Sequence, residues 1–518
     1  MTMNASVTLD TDVLVIGSGF GGAVTALRAA EKGYRVIVLE QGRRVTGADF
    51  DAASRDPRRL AWAPGLRLGG YLATHVLPDL AVLAGVGWGG GSLVYGAVLL
   101  EPPAATFAQP GWRRAGIDWR VELAPHYATA ARMLGRTPVA TMGAMDRYLA
   151  AAATAVGAGA SLAPAPVGIH FGRPGAIDPD PYFGGEGPPR AACTACGRCL
   201  AGCPVGAKSS LDLTYLHLAE RRGAQARTGY HATAITPITG GYRVDSVDPL
   251  TRRPHRPLTA ARVVVAAGVL GTVELLLRCR DELGTLPRLS PRLGQRVRTN
   301  GEALVGVEHA APPADLTTGV AISSRFHPDE RTHVTQNRLP PAHDLLRLMA
   351  TRIDRDGRRR LAPVAALRRA LRRDWHKRVT MLTVMQTWGG ELRLERRRPW
   401  WRGAPRLTSV ADGDRPPARL EVADRVALAL AAATGGEAFE LALAGRFGRA
   451  VTAHVLGGCA IGRGPDDGVL DADHQAFGHA GLYVVDGAAA PDDVGVNPSL
   501  TITAMAERCL ARWPRASS

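Results

Sequence analysis

With 518 residues, 46% of them hydrophobic and 21% charged, the chain has the composition of a globular protein with room for two or three full-sized cores. No window reaches 18 uninterrupted apolar residues, which excludes a transmembrane helix of ordinary length. Met1 to Thr11 is polar and lacks a basic n-region, so the cytoplasm is the expected compartment. The net charge of +16 does not point to nucleic acid: 60 of the 63 basic residues are arginine, as coding bias in a GC-rich genome would give, and +8 of the excess falls between Arg352 and Arg378.

The first organised stretch runs from Asp12 to Glu40. Asp12-Val13-Leu14-Val15-Ile16 reads as a strand buried on both faces of a parallel sheet, and Val24, Leu27, Arg28 and Glu31 follow at helical spacing. Between them Gly17, Gly19 and Gly22 form G-x-G-x-x-G, and a second apolar run, Val36 to Leu39, ends in Glu40. This strand–turn–helix context with an acid about 20 residues on is the dinucleotide-binding pattern. The helix N-terminus offers N–H groups to a pyrophosphate, and Glu40 is positioned to accept hydrogen bonds from a ribose. These residues do not choose between FAD and NAD.

Gly85 to Gly96 carries five glycines in the seven residues from Gly85 to Gly91. Its apolar flanks predict an ordered loop that brings backbone N–H groups close to something flat or anionic. Pro164 to Pro189 reads as an extended connection into a cysteine cluster. Cys193-x2-Cys196-x2-Cys199-x3-Cys203-Pro204 has the spacing of bacterial ferredoxins. Three of these thiolates suit a [4Fe–4S] cube. A single cluster needs Cys203 to fold back, or a remote ligand such as Cys279. Zinc in a four-sulfur site, and reduced or disulfide-paired structural thiols, stay open as alternatives.

Val263 to Gly268 reads as a later strand of the nucleotide-binding sheet, with a helix beginning by Thr272, so that domain is discontinuous. Residues 301–449 lack the strand–helix alternation and are expected to form a separate substrate domain. Within them Val364, Leu367, Leu371 and Trp375 fall on one helical face and Arg368, Arg369, Arg372 and Arg373 on the other. Such a helix either packs its apolar stripe on the core or lies on an anionic membrane surface, a peripheral contact. The chain closes with His454-Val455-Leu456-Gly457-Gly458-Cys459, a strand ending near Asp486-Gly487, and Gly495-Val496-Asn497-Pro498 opening a helix over Ser499 to Leu510, with Pro498 suited to its first turn.

Together these segments resemble the glucose–methanol–choline (GMC) family of FAD-dependent oxidoreductases, nearest to its actinobacterial cholesterol-oxidase-like branch. His454-x-Leu456-Gly457-Gly458-Cys459 with Val494-Gly495-Val496-Asn497-Pro498 is the most specific part, and Cys203 to Lys208 ends a four-cysteine run also found in that branch. The resemblance implies an α/β fold: a Rossmann-like FAD-binding domain from residues 1–105, 205–300 and 450–518, a connecting segment 106–204 with the cysteines, and an α+β substrate domain, 301–449, on an antiparallel sheet. It places FAD against Gly17, Gly19, Phe20, Gly22, Glu40, Gly87, Gly90, Gly91, Ser92, Ala232, Gly268, Asp486, Gly487 and Pro498. His454 and Asn497 would face the substrate hydroxyl, His454 taking or orienting its proton while hydride passes to flavin N5.

The implied substrate is a sterol-like or other bulky natural-product alcohol, with O2 or an electron-transfer protein or quinone as acceptor. The alternative is a dehydrogenase acting on a polar, sugar-like alcohol, with Cys193, Cys196, Cys199 and Cys203 holding an iron–sulfur relay. Two departures from the branch stand out. Tyr95 occupies a position where it has Asn, and His333 to Arg338, where its isomerising glutamate should fall, contains no carboxylate. Oxidation without double-bond migration is therefore expected.

Overall fold

The computed structural model describes residues 8–312, 315–360, 374–398, 403–441 and 449–516, with 369 and 371 between them. Its first body is built on a seven-stranded sheet. Thr11–Ile16, Val36–Glu40, Gln225–Thr228 and Leu258–Val265 run parallel in the order 225–228, 36–40, 11–16, 258–265. Leu482–Val484 extends the parallel pairing at Val263–Val265, while the antiparallel pair His231–Ile238 and Gly241–Val247 closes the other end. Val13, Leu14, Val15, Val263, Val264 and Val265 are all fully buried, which explains why these strands read as continuous apolar runs. The helices Phe20–Glu31, Gly268–Leu277 and Ser499–Ala511 follow three of the parallel strands.

The second body is an eight-stranded antiparallel sheet. Its order is 359–360, 350–353, 437–441, 302–308, 379–386, 332–337, 324–329 and 163–164. Alternation sorts its residues to two faces. Val305, Phe326, Val334, Leu382 and Val384 pack under the helices Ala144–Ala155 and Glu421–Thr434. The opposite face carries three cross-strand rows: Glu302, Met385 and His333; Leu304, Thr383 and Thr335; Gly306, Met381 and Asn337.

The fold is the expected α/β arrangement of a Rossmann-like domain and an antiparallel α+β domain. Three local features depart from the sequence reading. The 144–155 helix and the 163–164 strand, from the connecting segment, belong to the second body. The hairpin Glu391–Arg397 with Arg406–Asp412 sends Leu392 and Leu394 into the core of the first. The helix after Val265 starts at Gly268, four residues early, because Gly268 adopts φ +75° and turns the chain at once.

Most of the basic amphipathic segment (361–368, 370, 372 and 373) lies outside the described residues. Of its described members, Leu371 is exposed, whereas Trp375 is buried against Phe439 and Arg369 is buried in an ion pair with Glu308. Those two side chains serve the core. Among the described residues no helix is long and apolar enough to cross a membrane.

Candidate active site

The three motif glycines divide into two jobs. A Cβ at Gly17 would lie 2.2 Å from the Ala266 carbonyl oxygen, and one at Gly22 would lie 2.0 Å from that of Gly17. Both are needed for the turn and the helix to close on the sheet. A Cβ at Gly19 would meet nothing within 4 Å, so this position opens outward. Gly19 caps the 20–31 helix without a side-chain hydrogen bond and the first turn holds no acid, which leaves its N–H groups to a ligand. Phe20 stands at the helix start, edge-on to Tyr95 at 5.6 Å.

Glu40, 5% exposed, is the knot of this region. Its Oε1 accepts from Gly42 N (2.9 Å) and Gly87 N (3.2 Å), and its Oε2 from Ser18 N (3.1 Å) and Ser18 Oγ (2.7 Å). One carboxylate thus ties the first glycine turn to the second glycine loop. Burial pushes its pKa up, and these four donors pull the other way. Gly90 packs on Gly19 closely enough that a Cβ would sit 2.8 Å from the Gly19 Cα. Gly87 and Gly91 flank that contact, and Ser92 Oγ is spent internally, donating to Gly89 O (2.6 Å) and accepting from Leu211 N (2.9 Å). Ala232 is buried at a bulge in the 231–238 strand, beside the end of Val36–Glu40.

The C-terminal turn closes the cradle. Asp486 accepts from Thr272 Oγ1 and from Ala488 N (2.9 Å), and burial raises its pKa to about 6. Gly457 N donates to Gly487 O (2.9 Å) and Cys459 N to Ala488 O (2.9 Å), so the His454–Cys459 turn is pinned to this corner. Pro498 is the cap residue, rather than the first residue, of the Ser499–Ala511 helix, which also lacks a side-chain cap. Two uncapped helix N-termini and an outward-opening glycine fit a dinucleotide's pyrophosphate and ring.

His454 sits where the two bodies meet. Its Nδ1 is hydrogen-bonded to Glu302 Oε1, its Nε2 faces Asn497 Nδ2 at 3.3 Å, and its own N–H donates to Thr452 Oγ1 (2.9 Å). Glu302 is 4% exposed and also accepts from Ala453 N (3.2 Å). A buried carboxylate on Nδ1 keeps the proton there and leaves Nε2 as the acceptor, the form a base needs. Asn497 Oδ1 is buried with no protein partner. Asn300 supports the corner by donating to Val496 O (2.9 Å).

Glu302 and Asn300 escaped the sequence reading. They flank Gly301 at the start of a strand, a place with no local motif, and only the sheet brings them to His454. His333 shares their face, 2% exposed, with neither ring nitrogen partnered in the protein. Tyr95 Oη donates to Ser209 O (2.6 Å).

All four clustered cysteines line one mostly enclosed pocket, with Lys208, Gly197, Gly202 and Gly319. Cys203 thus does fold back to the other three, and Cys279 lies elsewhere, accepting from Ile235 N (3.3 Å). As placed, no group of three or more His, Cys, Asp and Glu among the described residues could hold a single metal ion. Burial raises the Cys199 thiol to about 12 and lowers Lys208 to about 8.

A buried carboxylate–imidazole pair against an amide, beside a dinucleotide cradle, has the groups that oxidising an alcohol requires, and the comparisons with known proteins make the chain an FAD-dependent alcohol oxidoreductase. The family model for GMC oxidoreductase matches residues 190–295 and 328–506, and that for an FAD binding domain matches residues 12–54. A cholesterol oxidase of Mycobacterium tuberculosis is 40% identical, the alignment covering 98% of this chain and 91% of that one; one of Acinetobacter baumannii is 36% identical over 99% and 96%. The paromamine 6'-oxidase of Streptomyces fradiae is 28% identical over 96% and 90%. Among solved structures, pyridoxine 4-oxidase from Mesorbium loti superposes with a TM-score of 0.64 at 16% identity, covering 97% of this chain and 99% of that one, a likeness of fold. The chain belongs to the GMC oxidoreductase family and resembles its cholesterol oxidases.

Proposed function

We infer that this chain oxidises the hydroxyl of a bulky, weakly polar alcohol of the sterol type to a carbonyl, with O2 or an electron-transfer partner as the terminal acceptor. The observation that carries the reading is the Glu302–His454–Asn497 line. Bound FAD supplies the hydride acceptor, at flavin N5. His454 Nε2 takes the hydroxyl proton, Glu302 steadies the imidazolium that forms, and Asn497 fixes the alcohol oxygen. The residues expected at the cofactor, from Gly17 to Pro498, keep that assignment here.

Two observations support the substrate class and a third bears on the product. The sheet face beside Glu302 carries Met385, with Leu304 and Met381 packed toward Trp375 and Phe439, and its three rows hold Asn337 but neither Asp nor Arg. Two relatives at 36–40% identity are named cholesterol oxidases. Glu302, the carboxylate at the site, is engaged by His454 and Ala453, which favours oxidation without double-bond migration. A sugar-like alcohol forms the second substrate reading, favoured by the relative named paromamine 6'-oxidase, while the four-cysteine pocket bears on the electron acceptor under either reading.

The test is a panel of 3β-hydroxysterols, long-chain alcohols and amino sugars mixed with the flavoprotein without oxygen. Bleaching by a sterol, yielding a ketone with its double bond unmoved, supports the reading. Bleaching by amino sugars alone contradicts it.

A further inference from the structure

The four-cysteine pocket has no part in alcohol oxidation as derived above, yet it is built. Ala195, Gly197, Gly202 and Gly206 all take positive φ (54°, 69°, 97° and 73°), so the chain winds around Cys193, Cys196, Cys199 and Cys203 in left-handed turns. Such turns point successive N–H groups inward, as in the concavities that hold anions and iron–sulfur centres. Ala195 N already donates to Cys193 Sγ (3.4 Å). A second segment completes the wall: Gly319 N donates to Ala195 O (2.8 Å) and Gly197 N to Gly319 O (2.8 Å). Arg338, 1% exposed, clamps that segment through Thr318 O and Val320 O.

Charge is the independent observation. Arg190 and Lys208 are each 1% exposed. Lys208 Nζ, in the pocket wall, donates to the carbonyls of Leu93, Tyr95 and Cys199. Arg190 donates to the carbonyls of Gly206 and Ala207 and to Ser209 Oγ, and its Nη1 has no partner. Asp212 lies near enough to act on both cations without an ion pair to either. Two buried cations whose donors go to neutral oxygens are costly unless an anion sits beside them. Four thiolates around an oxidised four-iron cube carry that negative charge.

The spacing and the pocket also separate a cube from a lone ion. Zinc needs its sulfurs within about 2.3 Å of one point, and among the described residues no three such groups are placed for that. A cube carries the thiolates on its corners, farther apart, around a core that fills the space between. We propose that Cys193, Cys196, Cys199 and Cys203 hold one [4Fe–4S] cluster in the pocket walled by Lys208 and Gly319. Lys208 connects the cluster site to Leu93 and Tyr95 of the glycine-rich loop.

The full chain, produced and purified without oxygen, is assayed for iron, acid-labile sulfide, zinc and flavin, and by low-temperature electron paramagnetic resonance after dithionite. About four irons and four sulfides per chain with a reduced-cluster signal are expected. Cys196→Ser should lose the signal and most of the iron while keeping flavin, and Cys279→Ser should keep both. Flavin-replete protein that binds no iron, even after anaerobic incubation with ferrous iron and sulfide, overturns the proposal; so does zinc in place of iron, or a Cys196→Ser variant with its iron intact. Iron and sulfide without flavin would support the cluster and sink the alcohol-oxidation reading instead.

Discussion

The imidazole of His454 and the carboxylate of Glu302, 152 residues apart in sequence, are hydrogen-bonded at the junction of the two bodies. The contact decides which ring nitrogen is free. Because Nδ1 donates to a buried carboxylate, Nε2 faces Asn497 as an acceptor. Replacing Glu302 by Gln keeps the shape and removes the charge that steadies the protonated ring. Flavin reduction should slow about 10- to 100-fold, the worth of a charge-assisted hydrogen bond, with flavin content unchanged. Single-turnover kinetics within twofold of the wild type would remove Glu302 from the mechanism.

Glu40 offers a separate test. Its oxygens serve four protein donors, so Glu40→Gln turns an amide N–H₂ toward N–H groups and leaves at least one unsatisfied, a cost of about 1–3 kcal/mol. Thermal unfolding of the flavin-free protein should fall to a lower temperature, and flavin should bind more weakly. An unchanged unfolding temperature with weakened flavin binding would mean that the carboxylate serves the cofactor ribose alone.

Two buried carboxyls should each cost stability as pH rises. Burial raises Asp493 to about 7, with Asp492 next to it adding repulsion, and burial raises Asp486 to about 6. Both carboxyls bind protons more tightly folded than unfolded. Their cost is therefore absent below the unfolded pKa near 4, grows as pH climbs through 6 and 7, and is complete above that. Relative to the wild type, Asp493→Asn apoprotein should therefore gain melting temperature between pH 5 and pH 8, where the wild type charges this buried carboxyl. Calorimetry across that range that shows equal slopes for variant and wild type would assign the dependence elsewhere.

His333 marks the substrate face most simply. Burial drives its pKa well below the ordinary histidine value, and neither ring nitrogen has a protein partner. His333→Leu should leave unfolding unchanged or raise its temperature, since an unsatisfied polar ring is removed. The Michaelis constant for the alcohol should shift while flavin reduction at saturation holds. A destabilised variant with unaltered kinetics would make the ring structural.

Much of this was legible from residue order alone. Gly17 to Glu40 read correctly because a buried parallel strand, a turn and a helix are local events with local signals. The pairing of His454 with Asn497 was implied by the family resemblance of the segments around them, not by a local signal. Glu302 was not, since a carboxylate at a strand start looks like any solvent-facing end until the sheet register sets it beside Met385 and His333. The convergence of Cys203 with its three neighbours was left open by spacing, because it depends on left-handed turns at Gly197 and Gly202 and on a single bridge to the remote Gly319. The early start of the 268–277 helix was hidden by a glycine that turns the chain rather than ending it.

The measurement that bears most directly on the central claim is the anaerobic half-reaction of the flavoprotein with its alcohol, wild type beside His454→Ala. The wild type should bleach its flavin on mixing, and the variant, retaining the same flavin, should do so about 10²- to 10⁴-fold more slowly. Equal bleaching rates would show that the proton leaves by another route and that the Glu302–His454–Asn497 line is not the catalytic centre.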